Sequence, residues 1–137
     1  MAKSRQAVVN LVESWDGKKE SNGSHKSIID LYNDFFEKIC SGKFPRGIRM
    51  RYDWAWCACT WSALAAALRY ESIMPMEISC YYLIEAAKKM GKRIPQDLAI
   101  MGIDNTMYGE IVTPKLSSLD NKLVEVSQNA SRAILDA

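Results

Sequence analysis

The helical hydrophobic pattern of this sequence stops at Gly91. Before that residue, four segments repeat apolar side chains at the three- and four-residue spacing of one helix face. They predict helices over about 4–15, 24–41, 56–70 and 77–90. Ser4 is the expected N-cap of the first helix, and Gly91 is expected to end the fourth. The segment 43–53 is predicted to be an exposed connector.

A different pattern follows Gly91. The continuous apolar run 98–103 is typical of a buried strand in a parallel sheet, and 116–119 is a second candidate strand. A terminal helix should follow, with one apolar side turned inward. Its members are Leu123, Val126, Ala130, Ala133 and Ile134. The sequence therefore predicts a mostly helical α+β fold, with four helices in domain 1–90 and a small strand–strand–helix unit in domain 91–137.

Charge and hydropathy limit the function classes. The chain has 18 basic and 16 acidic residues, a formal net charge of +2, which favours neither nucleic acid nor a membrane surface as partner. No apolar leader follows the N-terminus, and the longest apolar stretch, Ala63–Leu68, is too short to span a bilayer. These features predict a cytoplasmic protein. No cofactor is predicted.

The cysteines give a candidate reaction. Four are present, and we expect them to be reduced thiols. Cys57 begins the third predicted helix, where the helix dipole and unpaired N–H groups favour a thiolate, although most cysteines at helix starts are structural. Cys59 and Cys80 are expected to be inert core residues. No metal site is predicted, because two cysteines two residues apart on a helix point about 200° apart and the chain has one histidine.

The segment around Cys57 resembles a known motif. Trp56-Cys57-Ala58, with Ser62 four residues later, looks like the Trp-Cys-Ala-x-x-x-Ser motif of papain-like CHAP and NlpC-type peptidoglycan hydrolases of bacteria and phages. The resemblance extends over about residues 5–91. It implies that Cys57 attacks an amide bond of a peptidoglycan peptide, and that Trp56 contacts this substrate.

The histidine of that family is not where the resemblance requires it. A base should lie on a strand after the cysteine helix, because a thiol of ordinary pKa is mostly protonated at neutral pH. The single histidine, His25, precedes Cys57. His25 is the candidate base if the second helix packs across the third, and otherwise it is a helix-start residue. The prediction is a cysteine hydrolase that is weak or inactive.

A second resemblance covers residues 91–137. The segment Lys92–Asn105 is similar to the Pro-x-Asp, apolar strand, Gly-Phe-Asp pattern of LacI/GalR-type regulators, and the match continues through Thr113–Leu119. The matching residues are Pro95, Asp97, Gly102 and Asp104, with Ile103 in the aromatic position. The resemblance implies that Asp104 ends a strand and contacts an effector hydroxyl. The alternative is a simple turn at Asp104-Asn105.

Two partial resemblances that meet near Gly91 suggest a chimera. Three functions remain open: an incomplete peptidoglycan hydrolase, a non-catalytic fusion, and a remnant sugar- or effector-binding module centred on Asp104. The edges of the 98–103 strand need cover. We therefore expect either self-association as a homo-oligomer or a two-stranded sheet covered by a helix.

Overall fold

The computed structural model describes residues 4–103, 108–111, 113–120 and 122–135. Within these ranges the chain is mostly helical and has two short strands, which confirms the predicted α+β fold class. The chain divides into two compact units, Met1–Gly91 and Lys92–Ala137, called unit 1 and unit 2 below. In the described ranges no helix is long and apolar enough to cross a membrane.

Unit 1 contains the four predicted helices. They are α1 (Arg5–Glu13), α2 (Lys26–Asp34), α3 (Cys57–Leu68) and α4 (Cys80–Lys89). The backbone N–H of Ala7 donates to Ser4 Oγ at 3.1 Å, so Ser4 is the N-cap of α1 as predicted. A π-helical turn, Phe35–Ile39, continues α2. Short 3₁₀ turns cover Glu20–Asn22 and Pro45–Gly47.

In the core of unit 1, large side chains of α2 pack against small side chains of α3. Ile28, Ile29 and Tyr32 of α2 are buried, as predicted for this helix, and pack with Ala63 and Ala66 of α3. Small alanine side chains allow the α2 backbone and rings to come close to α3. Burial of each large apolar side chain contributes roughly 1.5–3 kcal/mol. This contact therefore holds α3 against α2.

The prediction that the connector 43–53 is exposed is only partly correct. Most of its charged side chains face solvent, but Met50 is only 1% exposed. The buried Asn33 side chain of α2 holds the Met50 backbone through two hydrogen bonds, at 3.0 and 3.1 Å. Arg46 reaches the buried carboxylate of Glu77. Two long-range polar contacts thus fasten a segment whose local sequence is typical of a free loop.

Unit 2 is a parallel strand pair with helical connections. Its elements are β1 (Met101–Ile103), α5 (Tyr108–Ile111), β2 (Ser117–Leu119) and α6 (Leu123–Leu135). Met101 pairs with Ser117 and Ile103 with Leu119 in parallel register. A strand forms within each predicted segment, but the strand predicted as buried over 98–103 covers only Met101–Ile103, and Met101 is 70% exposed. The terminal helix forms as predicted, with α5 as an additional short helix. Because the strands are parallel, their carboxyl ends meet at one edge.

The sequence predicted that one apolar side of α6 faces inward. This prediction is wrong for the α6 side chains that the structure describes. Val126 is 58% exposed, and Ala130 and Ala133 are also exposed. The side chains of Leu123 and Ile134 are not among those that the structure describes. A helical repeat identifies which side of a helix is able to pack, but burial also needs a partner surface of sufficient area. The homo-oligomer expected from the strand edges stays a prediction.

Candidate functional site

Cys57 is the first residue of α3 and is exposed. Trp56, in the N-cap position, makes no side-chain capping bond, so the first-turn N–H groups of α3 lack that partner. The Cys57 sulfur lies 3.5 Å from the sulfur of Cys80, within hydrogen-bonding distance for two thiols. The structure therefore brings together two cysteines that the sequence analysis treated separately.

The prediction that Cys80 is a core residue is wrong. It is the first residue of α4 and is exposed, because this helix begins three residues later than the expected Glu77. Its thiol pKa is raised, first by the hydrogen bond with Cys57 and second by desolvation of the sulfur. Ser79, in an extended conformation just before Cys80, marks the true helix start. A serine before the apolar repeat was the sequence signal that could have located it.

Cys59 behaves as the sequence predicts. Its side chain is buried in the core of unit 1. Burial, with a smaller contribution from the charge of Cys57, raises the pKa of the Cys59 thiol to about 12. A thiol with that pKa is protonated at neutral pH, so Cys59 is chemically inert compared with its exposed neighbour.

His25, the candidate base for Cys57, is a buried residue that precedes α2. Its Nε2 lies 3.0 Å from the carbonyl oxygen of Tyr52, and since a carbonyl only accepts, Nε2 carries the proton and donates. Nδ1 is buried and has no hydrogen-bond partner among the described residues. In the neutral ring Nδ1 is therefore the basic nitrogen. A role for it toward Cys57 stays a prediction.

Trp56, the predicted substrate contact, is half-buried. Its ring centroid lies 5.6 Å from that of His25, and it packs against the buried core of unit 1. This arrangement orders the residue immediately before Cys57. The side chain therefore has a packing role, and its role as a ligand contact stays a prediction. Among the described residues, no group of three or more histidine, cysteine or carboxylate side chains is placed to hold a metal ion.

The second candidate site is the carboxyl edge of the β1–β2 pair. Asp104 follows β1 directly in the sequence but lies outside the described residues. Asp120 follows β2, and its Oδ1 accepts the backbone N–H of Lys122 at 2.7 Å, just before α6. A shallow depression of about 560 Å³ lies along α6 instead, lined by Val124, Ser127, Gln128, Ser131 and Arg132. It is open to solvent and is bounded by one helix.

Comparison with known proteins gives a family for part of the chain. Residues 76–137 match the periplasmic binding protein-like domain family. The NTD biosynthesis operon regulator of Bacillus subtilis is 34% identical over 55 residues, which are 40% of this chain and 17% of that protein. The HTH-type transcriptional repressor PurR of Pectobacterium carotovorum is 33% identical over 64 residues, 47% of this chain and 17% of that protein.

The Ribose operon repressor of Halalkalibacterium halodurans is 33% identical over 52 residues, 38% of this chain and 16% of that protein. This chain thus spans about one-sixth of the length of each of these relatives. No solved structure matches. The resemblance of residues 91–137 to LacI/GalR-type regulators is confirmed as similarity over part of the chain, and the match begins earlier, at residue 76.

These comparisons overturn the hydrolase prediction. The relatives found are transcriptional regulators, and nothing supports the resemblance of residues 5–91 to CHAP or NlpC-type peptidoglycan hydrolases. A short motif such as Trp-Cys-Ala followed by serine recurs readily in buried helices, because cysteine, alanine and serine all suit close packing. The predictions of a peptidoglycan partner and of no nucleic-acid partner are contradicted as well, since the relatives found are named a transcriptional repressor and an operon repressor.

Proposed function

We propose that unit 2 is part of an effector-binding domain, with the carboxyl edge of β1 and β2 forming one side of a ligand site. The parallel pairing of these strands carries the proposal. In open sheets of parallel strands, ligands bind outside the carboxyl ends of the strands. The family match over residues 76–137 supports the same assignment.

Asp104 is the proposed ligand contact. It immediately follows Ile103, the last residue of β1, so it belongs to the carboxyl edge in the sequence. An ionised carboxylate accepts hydrogen bonds from two adjacent hydroxyl groups, which suits a sugar. Asp120 occupies the corresponding position after β2, where its Oδ1 accepts the Lys122 N–H and orders the entry to α6. We therefore assign ligand contact to Asp104 and local positioning to Asp120.

The proposal includes a role in transcriptional control. It is supported by the names of the relatives, which are operon regulators and repressors, and DNA is accordingly a proposed partner in such a role. A cytoplasmic location is proposed on the same basis. A pocket that surrounds a small ligand needs two sides, and β1 and β2 supply one. We therefore expect weak binding, with Kd on the order of 1 mM.

The test is a thermal shift against a panel of pentoses and hexoses. With ligand at about ten times Kd, binding should stabilise the folded state by about 1.4 kcal/mol and raise Tm by a few degrees. Asp104→Asn should remove this rise, because the amide has one acceptor oxygen and no charge. Asp53→Asn changes an exposed carboxylate of unit 1 and should leave the rise intact. The absence of any Tm rise across the panel would overturn the proposal.

A further inference from the structure

We infer that Cys57 and Cys80 form a reversible dithiol–disulfide site that exchanges with small disulfides. The two sulfurs are 3.5 Å apart, and both residues are exposed. A disulfide needs a sulfur–sulfur distance of about 2.05 Å, so the sulfurs must approach by about 1.5 Å. Rotation of two surface side chains supplies a movement of that size. This site lies in unit 1 and is independent of the effector function proposed for unit 2.

Buried contacts of α3 hold the two thiols near each other. The Ser62 hydroxyl donates to the Glu77 carbonyl at 2.6 Å, and the Glu77 N–H donates to Ser62 Oγ at 2.7 Å. Trp61 Nε1 donates to the Pro75 carbonyl at 2.9 Å. These bonds attach the segment before α4 to the side of α3, so that α4 begins next to the first residue of α3. The pair is therefore positioned by the fold and does not depend on a flexible loop.

The two thiols have different roles in the exchange. Both cysteines are the first residue of a helix, where N-terminal N–H groups stabilise a thiolate. Cys80 keeps its proton more firmly, because its thiol pKa is raised by the hydrogen bond with Cys57 and by desolvation. Cys57 is therefore the attacking thiol, and Cys80 is the resolving thiol.

The reaction balances with a low-molecular-weight disulfide, RSSR, as the oxidant. The Cys57 thiolate attacks one sulfur of RSSR, which forms a Cys57–S–SR mixed disulfide and releases RS⁻. That thiolate takes the Cys80 proton, and the Cys80 sulfur then attacks the Cys57 sulfur and releases a second RS⁻. The protein loses two electrons and gains the Cys57–Cys80 bond. RSSR gains two electrons and becomes two RSH once the proton lost by Cys57 is returned.

The remaining cysteines provide matched controls. Cys59 is buried, and its pKa of about 12 keeps it protonated. Cys40 is half-buried and packs against the core of unit 1. We expect both to stay reduced while the exposed pair is oxidised.

The experiment equilibrates the folded 137-residue chain with mixtures of reduced and oxidised glutathione. Free thiols are then alkylated, and the intact mass and its peptides are measured. The expected product is one Cys57–Cys80 disulfide, with Cys40 and Cys59 alkylated after unfolding. Cys80→Ser should stop the reaction at a glutathione adduct on Cys57. Cys40→Ser should form the disulfide as the unchanged protein does.

Two results would overturn the inference. One is a protein that keeps all four thiols in an oxidising glutathione mixture while its unfolded chain forms disulfides. The other is a disulfide that involves Cys40 or Cys59 in the folded state. Circular dichroism of each serine variant shows that it is folded. As a measurement that needs no variant, phenylarsine oxide should bind the reduced protein with one arsenic per chain and block the oxidation.

Oxidation should also raise the thermal stability of unit 1. The bond closes a loop of roughly 24 residues, which lowers the entropy of the unfolded chain and should raise Tm on the order of 10 °C. The increase should disappear after reduction and should be absent in Cys80→Ser. An unchanged Tm in a fully oxidised sample would contradict the geometry, because it would mean that strain in the folded state offsets the entropic gain.

Discussion

Replacement of Arg46 by methionine should destabilise unit 1 by about 3–5 kcal/mol, the cost of leaving a buried charge without its partner. Arg46 Nε and Nη2 donate to the two carboxylate oxygens of Glu77 at 2.7 and 3.0 Å. Glu77 is 4% exposed, so its carboxylate has little access to water while the site stays filled. Methionine fills a similar volume but donates no hydrogen bond. The Glu77 carboxylate must then be protonated or become exposed.

Urea unfolding followed by tryptophan fluorescence measures this effect in unit 1 alone, because all four tryptophans precede residue 62. Arg49→Met is the matched control. Arg49 makes an exposed ion pair with Glu37 at 2.7 Å, and loss of such a pair costs less than about 1 kcal/mol. If Arg46→Met and Arg49→Met lowered the free energy of unfolding equally, the Arg46–Glu77 pair would not have the stabilising role assigned to it. Arg46→Lys should lower the free energy of unfolding by less than Arg46→Met does, because lysine keeps the positive charge although it cannot make the bidentate contact.

Because of the Glu77 carboxylate, we also expect unit 1 to lose stability in acid. Burial acts to raise the pKa of Glu77, but the hydrogen bonds from Arg46 and from the Ile78 N–H outweigh it, and the pKa is lowered from 4.5. A group whose pKa is lower in the folded state stabilises the fold above its unfolded pKa and loses that contribution as pH falls through the folded value. The free energy of unfolding should therefore decrease below about pH 4.5. Glu77→Gln should flatten this part of the pH profile, whereas the exposed Glu37→Gln should not.

Asn33→Ala should cost about 2–4 kcal/mol, because it leaves two buried backbone groups without partners. The fully buried Asn33 amide donates to the Met50 carbonyl at 3.0 Å, and its Oδ1 accepts the Met50 N–H at 3.1 Å. Alanine supplies neither bond and leaves a small cavity. The connector 43–53 should then open before the helices do. Fluorescence-monitored unfolding measures the loss of stability, and amide exchange at Met50 locates it.

The control for this variant is an asparagine on an exposed helix surface. Asn10 of α1 accepts a hydrogen bond from the Gln6 side chain at 2.7 Å, in a solvent-exposed position. Asn10→Ala should change the free energy of unfolding by less than about 0.5 kcal/mol. If Asn33→Ala were equally harmless, or if Met50 kept its slow amide exchange, the connector would not depend on the Asn33 contact.

Local features of the fold were predictable because their causes are local. Ser4 caps α1 through its own side chain three residues from the helix N–H that it accepts. Gly91 follows α4 with a φ of 71°, a conformation that glycine adopts without strain. The run before Asp104 forms a strand and pairs in parallel with the second predicted strand. These elements follow from spacing, capping and conformational preference within short windows.

Candidate sites were harder to predict because they depend on contacts between distant residues. Cys57 was identified from its helix start, but its partner Cys80 was assigned to the core, because the start of α4 was placed at Glu77. That residue is instead fastened to Ser62, and α4 begins three residues later. The comparisons likewise support the longer pattern in residues 91–137 and not the short cysteine motif. A pattern spread over a strand, a turn and a second strand has fewer chance matches than a four-residue motif at the start of one helix.

The helical pattern that stops at Gly91 was determined by the sequence alone, together with the four helices before it and the two short strand segments after it. Periodicity, caps and glycines act over a few residues, so they can be evaluated without knowledge of the fold. Tertiary structure alone decided that Asn33 holds Met50, that Arg46 neutralises Glu77, and that two cysteines lie 3.5 Å apart. Each of these contacts joins residues separated by more than fifteen positions. Their formation depends on how α2, α3 and α4 pack, which no local pattern specifies.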